Sequence, residues 1–203
     1  MHNTLLKKIN NKSAVIGIIG LGYVGLPLAL EYALKGFKTI GFDLDERKIP
    51  MLNAGKSYIK HIKSEKIKKT VSSKKFFATA DFSRLPETDA IIICVPTPLN
   101  EHREPDMTFI ENSGKVISQY LRSGQFVSLE SSTYPGTTEE ILLPMFENAP
   151  LIQNSKDRSR KSAKKFQVGK DFFLAFSPER EDPNNPKYST ATIPKVVGGV
   201  TSN

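Results

Sequence analysis

Short apolar runs alternate along this chain with stretches in which hydrophobic residues recur at helical spacing. Residues 14–19 (AVIGII) are nearly continuously apolar and end at a glycine, as expected of a parallel strand covered on both faces. From Val24 onward, Leu26, Leu30 and Leu34 share a helical face, and Gly36 supplies a C-terminal stop. A second strand is predicted at 38–42 (KTIGF). Asp45 then reads as the cap of a helix running toward Asn53, in which Pro50 is expected to remove one backbone hydrogen bond. The basic segment 60–75 (KHIKSEKIKKTVSSKK) interrupts the alternation. Strands follow at 75–79 and 90–95, a helix over 107–120, a strand at 126–129, a helix over 137–147 and a strand at 172–176. Residues 1–13 read as a polar leader. Residues 148–170 read as a long polar excursion, expected to be mobile because loops of that length are usually functional or mobile.

Strands alternating with helices predict the α/β class: a Rossmann-type, doubly wound, mostly parallel sheet with helices on both faces. With 203 residues, 38% of them hydrophobic and 25% charged, the chain has the makeup of a single domain with one sizeable core. No apolar run approaches the roughly 20 residues that span a bilayer, and the N-terminus lacks the pattern of a secretory signal, so a cytoplasmic protein without membrane contact is expected. The single cysteine, Cys94, excludes an internal disulfide and fits a reducing compartment. His2, His61 and His102 lie far apart, and no metal site is expected. The formal charge of +8 is concentrated in 60–75 and in 156–165 (KDRSRKSAKK), among Ser, Thr and Glu and without groove-reading motifs. These stretches read as solvated surface rather than a nucleic-acid interface.

The first strand runs into Gly20, Leu21, Gly22, Tyr23, Val24 and Gly25, a GxGxxG at a strand-to-helix turn. In that position the first glycine permits the turn, the second lets backbone approach a pyrophosphate, and the third allows helix and strand to pack closely. The helix N-terminus adds free N–H donors and partial positive charge. Asp43 ends the second strand eighteen residues after Gly25, where an acid accepts hydrogen bonds from an adenine ribose and repels a 2′-phosphate. The expected cofactor is NAD. Arg47 and Lys48 are cations near the same position, and Lys48 is included among the cofactor-binding candidates.

Four ordered segments then become specific: GLGYVGLPLA at 20–29, ICVPTP at 93–98, ESSTYPGTTEE at 130–140 and SPERED at 177–182. Together they resemble the nucleotide-sugar 6-dehydrogenase family over nearly the whole chain. SPER followed by ED-Pro is more similar to the N-acetylhexosamine branch, closest to enzymes acting on UDP-N-acetylglucosamine, than to the UDP-glucose branch. The resemblance implies oxidation of a sugar C6 alcohol to the uronic acid with two NAD, through an aldehyde and a cysteine-bound thioester, for surface polysaccharide synthesis. By matching positions, Val95, Pro96 and Thr97 line the nicotinamide side. Thr133 holds a catalytic water or the cofactor, and Glu179 acts as acid or base in hydrolysis.

The residues alone allow plainer readings, with Thr133 as a helix cap and 177–179 as a helix-starting turn. Cys94 sits in an apolar strand and reads as core, not as the nucleophile. The chain departs from the family at Asn184-Asn185, where relatives have Gly-Asn; asparagine tolerates the left-handed turn. It also stops before the region where relatives place a dimerising helix, the nucleophilic cysteine and the domain that grips UDP. This piece is therefore expected to be monomeric and not to complete the oxidation alone. Two competing readings are a single-step β-hydroxyacid dehydrogenase and a non-catalytic dinucleotide-binding domain. The segments at 130–140 and 177–182 disfavour the first.

Overall fold

The computed structural model describes residues 1–60, 62–149, 165–180 and 192–202. Its strands are β1 (Val15–Ile19), β2 (Lys38–Phe42), β3 (Phe76–Thr79), β4 (Ala90–Ile93), β5 (Phe126–Leu129), β6 (Phe173–Phe176) and β7 (Gly198–Gly199). They form one sheet in the order β3-β2-β1-β4-β5-β6-β7, parallel throughout except that β7 runs antiparallel to β6. The helices are α1 (His2–Asn10), α2 (Gly25–Leu34), α3 (Lys48–Asn53), α4 (Ser64–Ser72), α5 (Thr108–Tyr120) and α6 (Leu143–Glu147).

Alternate strand residues feed two cores, one on each face of the sheet. Ile16, Ile18 and Ile92 pack with Leu26 and Leu30 of α2, Leu52 of α3 and Ile67 of α4. Ile91, Ile93, Val127 and Leu129 pack with Ile110 and Ile117 of α5, Leu142 and Phe146. This two-sided burial is why the central strands read as continuous apolar runs rather than alternating ones. Gly36 ends α2 at φ +99°, the left-handed conformation expected of its stop.

Several local expectations are corrected. The supposed polar leader contains α1, which lies across the end of the sheet where the strands begin. Leu5 is buried, the His2 ring lies 5.9 Å from that of Phe173, and the Lys8 ammonium is 2.8 Å from Asp89, the residue before β4. Two polar residues in three concealed a stripe one residue wide. The basic segment 60–75 likewise contains α4, with Ile67 and Thr70 buried and Lys68 and Lys69 outward. Lys66 pairs with Glu31 of α2. Lys60, Lys63, Lys68, Lys69 and Lys74 are exposed, whereas Lys66 and Lys75 are half-buried, Lys75 donating its ammonium to the Gly36 carbonyl.

Helix α3 starts at Lys48, not directly after Asp45, whose carboxylate accepts the Arg47 N–H at 3.2 Å in a turn. Pro50 is the third residue of α3, where no intrahelical acceptor exists for an N–H, so it costs no hydrogen bond. The helix expected over 137–147 is divided into a π-helical stretch, Thr137–Leu142, and α6. The strand expected at 90–95 ends at Ile93. Of the excursion 148–170, residues 150–164 lie outside the described residues, as does its expected mobility. Phe166 is in the core. The basic run at 156–165 and Asn184-Asn185 also fall outside them, apart from Lys165.

Candidate cofactor-binding site

The backbone ladder continues one residue beyond each strand. The N–H of Gly20 donates to Phe42, that of Cys94 to Ile19, that of Glu130 to Ile93 and that of Ser177 to Leu129, at 2.8–2.9 Å. Asp43 N–H reaches Thr79 at 3.2 Å. The first residues after five strands therefore stand in a row along the carboxyl edge of the sheet. Chain connections diverge between β1 and β4, the switch point outside which open parallel sheets bind ligands. A pocket of about 630 Å³ opens there.

Three glycines shape its centre. Gly20 has φ +90°, and a Cβ on it would lie 2.5 Å from the Cys94 carbonyl oxygen. A Cβ on Gly25 would lie 1.8 Å from the Gly20 carbonyl oxygen, so these two positions admit no side chain. Gly22 differs: a Cβ there would meet no atom within 4 Å, yet the residue lines the pocket. Space kept open in front of backbone at the start of α2 is what a pyrophosphate needs.

Asp43 joins this turn to the next strand. Its Oδ2 accepts the Leu21 N–H at 2.9 Å and the Lys48 ammonium at 2.8 Å, and its Oδ1 accepts the Asp45 N–H at 2.9 Å. A carboxylate has about four acceptor sites, so one remains for a ribose hydroxyl. Lys48 is thereby neutralised by Asp43 rather than held out as a phosphate receptor. Tyr58 closes the unit by donating its hydroxyl to the Leu21 carbonyl, with the Lys48 ammonium 5.7 Å from its ring centre. Burial, reinforced by the charges of Asp43 and Asp45, pushes the Tyr58 phenol up, so it remains a donor.

The other end of the pocket lies over β4 and β5. Val95, Pro96 and Thr97 line it as expected, and Val95 N–H donates to Ser131 Oγ at 3.0 Å. Glu179 lines it as well; its Oε1 accepts the Arg180 N–H at 2.7 Å. Cys94 is buried, and burial, then Glu130 and Glu179, push its thiol well up, which fits core chemistry rather than a nucleophile.

Gly20, Gly22, Tyr23, Val24, Asp43, Lys48, Val95, Pro96, Thr97 and Glu179 thus share one pocket. Leu21 and Gly25 do not line it; they are buried and shape the turn from behind. Thr133 is also elsewhere, in a smaller neighbouring pocket of about 410 Å³ with Tyr134 and Phe176. Its hydroxyl is 2.6 Å from that of Thr137.

Sequence reasoning missed Glu130, Ser131 and the α5 face bearing Phe109, Asn112, Ser113 and Val116. The sequence predicts a helix over 107–120 but carries no sign of which of its faces lines a pocket. The position of Glu130 immediately after a strand was the available sign for the acid.

The fold and pocket define a dinucleotide-binding Rossmann domain. Residues 14–203 match the NAD binding domain of the UDP-glucose/GDP-mannose dehydrogenase family, and the chain belongs to that family. It is 32% identical over 190 residues to the UDP-N-acetyl-D-glucosamine 6-dehydrogenase of Pseudomonas aeruginosa, covering 94% of this chain and 41% of that protein. It is 32% identical to the UDP-N-acetyl-D-mannosamine dehydrogenase of Escherichia coli K12, covering 93% and 42% respectively. The crystal structure of NDP-N-acetyl-D-galactosaminuronic acid dehydrogenase from Methanosarcina mazei superposes with a TM-score of 0.77 at 30% identity, over 98% of this chain and 42% of that one. The chain thus spans about two fifths of the length of these relatives. Among the described residues, no group of three or more His, Cys, Asp or Glu is placed to hold a metal ion, and no helix is long and apolar enough to cross a membrane.

Proposed function

We propose that this chain is the cofactor-binding part of a cytoplasmic nucleotide-sugar 6-dehydrogenase that converts a UDP-N-acetylhexosamine to its uronic acid for surface polysaccharide synthesis. The carrying observation is a single pocket running from Asp43, past Gly22, to Glu179. Asp43 holds the adenine ribose, the backbone at Gly22 and the start of α2 face the pyrophosphate, and residues 95–97 line the nicotinamide end. Bound there, NAD supplies the two-electron oxidising capacity. Glu179 handles a proton on the sugar side of the pocket, with its carboxylate as acceptor or, once protonated, as donor. Thr133, to which the resemblance gives a catalytic water or the cofactor, lines the second pocket, and in this reading it holds the water. The names of the three relatives given above, which refer to nucleotide-linked N-acetylhexosamines or an N-acetylhexosaminuronic acid, support this substrate class.

Calorimetric titration of the 203-residue chain tests the cofactor half of this reading: NAD binds, and NADP binds more weakly. In a longer protein that contains this chain, UDP-N-acetylhexosamine drives NADH formation, and Glu179→Gln slows turnover by at least tenfold while leaving NAD affinity within about twofold. Absence of NAD binding, or wild-type turnover in that variant, contradicts it.

A further inference from the structure

Glu130 stands at the end of β5 in the same pocket as Glu179, and its side chain is 8% exposed. Its carboxylate is paired with the ammonium of Lys195, sixty-five residues later. The route is topological: Gly198 pairs with Phe176 at the carboxyl end of β6, so the antiparallel β7 brings the residues before it back over the edge where the pocket opens. Lys195 itself is not among the residues lining the pocket. Burial pushes the Glu130 carboxyl up, and Lys195 pulls it back part of the way. Glu130, Glu179 and Cys94 line the same pocket, and the charge of Glu130 acts on the Cys94 thiol and on the Tyr32 phenol.

A buried ion pair is a weak device for stability, since desolvation consumes most of its Coulombic gain. Its position at a ligand surface is more informative. The strand order puts Glu130 at the nicotinamide end, where a bound cofactor carries one positive charge when oxidised and none when reduced. We propose that the Glu130–Lys195 pair is a specificity-determining element that sets the charge beneath the nicotinamide, and so the ratio of affinities for the oxidised and reduced cofactor. Lys195 cancels the charge of Glu130, so the pair itself presents little net charge to the nicotinamide and favours neither the oxidised nor the reduced cofactor. This inference rests on the NAD-binding reading above.

The test is equilibrium binding of NAD and NADH to the 203-residue chain and its variants, with circular dichroism to verify folding. Glu130→Gln keeps the shape and leaves Lys195 as an unpaired cation; the NAD-to-NADH affinity ratio falls roughly tenfold, the scale of a unit charge acting across a pocket through an effective dielectric near 20. The double variant Glu130→Gln/Lys195→Gln removes both charges and restores the ratio to within about threefold of the original. A purely structural pair would weaken both cofactors by one common factor and leave the ratio unmoved, and that result overturns the inference. Should the single variant fail to fold, the double variant is compared with Lys195→Gln. In Lys195→Gln, Glu130 titrates without its cation, facing Glu179, Cys94 and Tyr32. The ratio then rises with pH through the Glu130 titration in Lys195→Gln but not in the double variant. Identical pH dependence in the two overturns the inference. If the unsubstituted chain binds neither cofactor, the NAD-binding reading falls as well; if it binds NAD and only the ratio fails to respond, that reading stands and this inference alone falls.

Discussion

The backbone N–H of Leu21 lies 2.9 Å from Oδ2 of Asp43, so the glycine turn after β1 and the acid ending β2 are hydrogen-bonded to each other before any cofactor arrives. The same oxygen holds Lys48. Asp43 therefore locks the glycine turn, and in the proposed function the same residue would also recognise the ribose.

Substitution of Asp43 should consequently affect more than one contact. Asp43→Ala leaves a buried N–H without its acceptor and Lys48 without its counter-charge, and a lost hydrogen bond to a charged group costs about 1.5–3 kcal/mol. NAD affinity is expected to fall by roughly 10- to 100-fold, while NADP weakens less because Lys48 is released toward a 2′-phosphate. Parallel titrations with both cofactors read the discrimination; unchanged selectivity would remove Asp43 from the site.

Glycine substitutions separate binding from folding. Gly22→Val enters open pocket space, so NAD binding is lost while the melting temperature stays within about 3 °C of the original. Gly25→Ala drives a Cβ to 1.8 Å from the Gly20 carbonyl oxygen and is expected to lower the melting temperature sharply. Thermal melts and NAD titrations of the two variants give opposite patterns. Unaltered NAD affinity in Gly22→Val would show that the pyrophosphate lies elsewhere.

At the opposite edge of the sheet, Asp89 accepts the Lys8 ammonium and Arg122 Nη2, each at 2.8 Å, and the Val15 N–H at 3.0 Å. Burial alone would raise its carboxyl, but these three donors together hold it below the ordinary carboxylate range. Because the folded value is depressed, the stabilisation is complete above the unfolded value near 4 and is lost as pH falls through the folded one. Asp89→Asn should cost about 2–3 kcal/mol at pH 7 and flatten the acid limb of the stability curve. Lys8→Ala should cost about 1 kcal/mol or less, since Lys8 is 43% exposed and Arg122 remains. Urea denaturation between pH 3 and pH 7 measures both, and an unchanged acid limb in Asp89→Asn would show that another group controls it.

The parallel sheet and the glycine turn were legible in the sequence because both are matters of adjacency. An apolar run of five residues needs cover on both faces wherever it lies in the chain, and GxGxxG places its three glycines within one turn. The helices α1 and α4 were not legible. Leu5 in α1, and Ile67 with the half-buried Val71 in α4, are sparse apolar contacts on otherwise polar surfaces, and such helices become stable only when a sheet edge or a neighbouring helix such as α2 supplies their partners.

Asp43 and Glu179 were identified singly, one by its distance from the glycines and the other by family resemblance; the pocket that unites them depends on how the strands are ordered. Thr133 shows the converse. A residue three positions after Glu130 is turned into a neighbouring pocket because Thr137, one helical turn on, takes its hydroxyl.

Composition, periodicity and spacing thus decide that the chain folds as a Rossmann domain with a glycine turn after its first strand, since those properties reside in contiguous residues. Strand order and register decide the rest. They align Gly20, Asp43, Cys94, Glu130 and Ser177 along one edge, bring Lys195 back to Glu130, and carry Lys8 across eighty-one residues to Asp89. Pairings so distant along the chain have no local signature, because their loop-closure cost is offset only when the whole sheet forms.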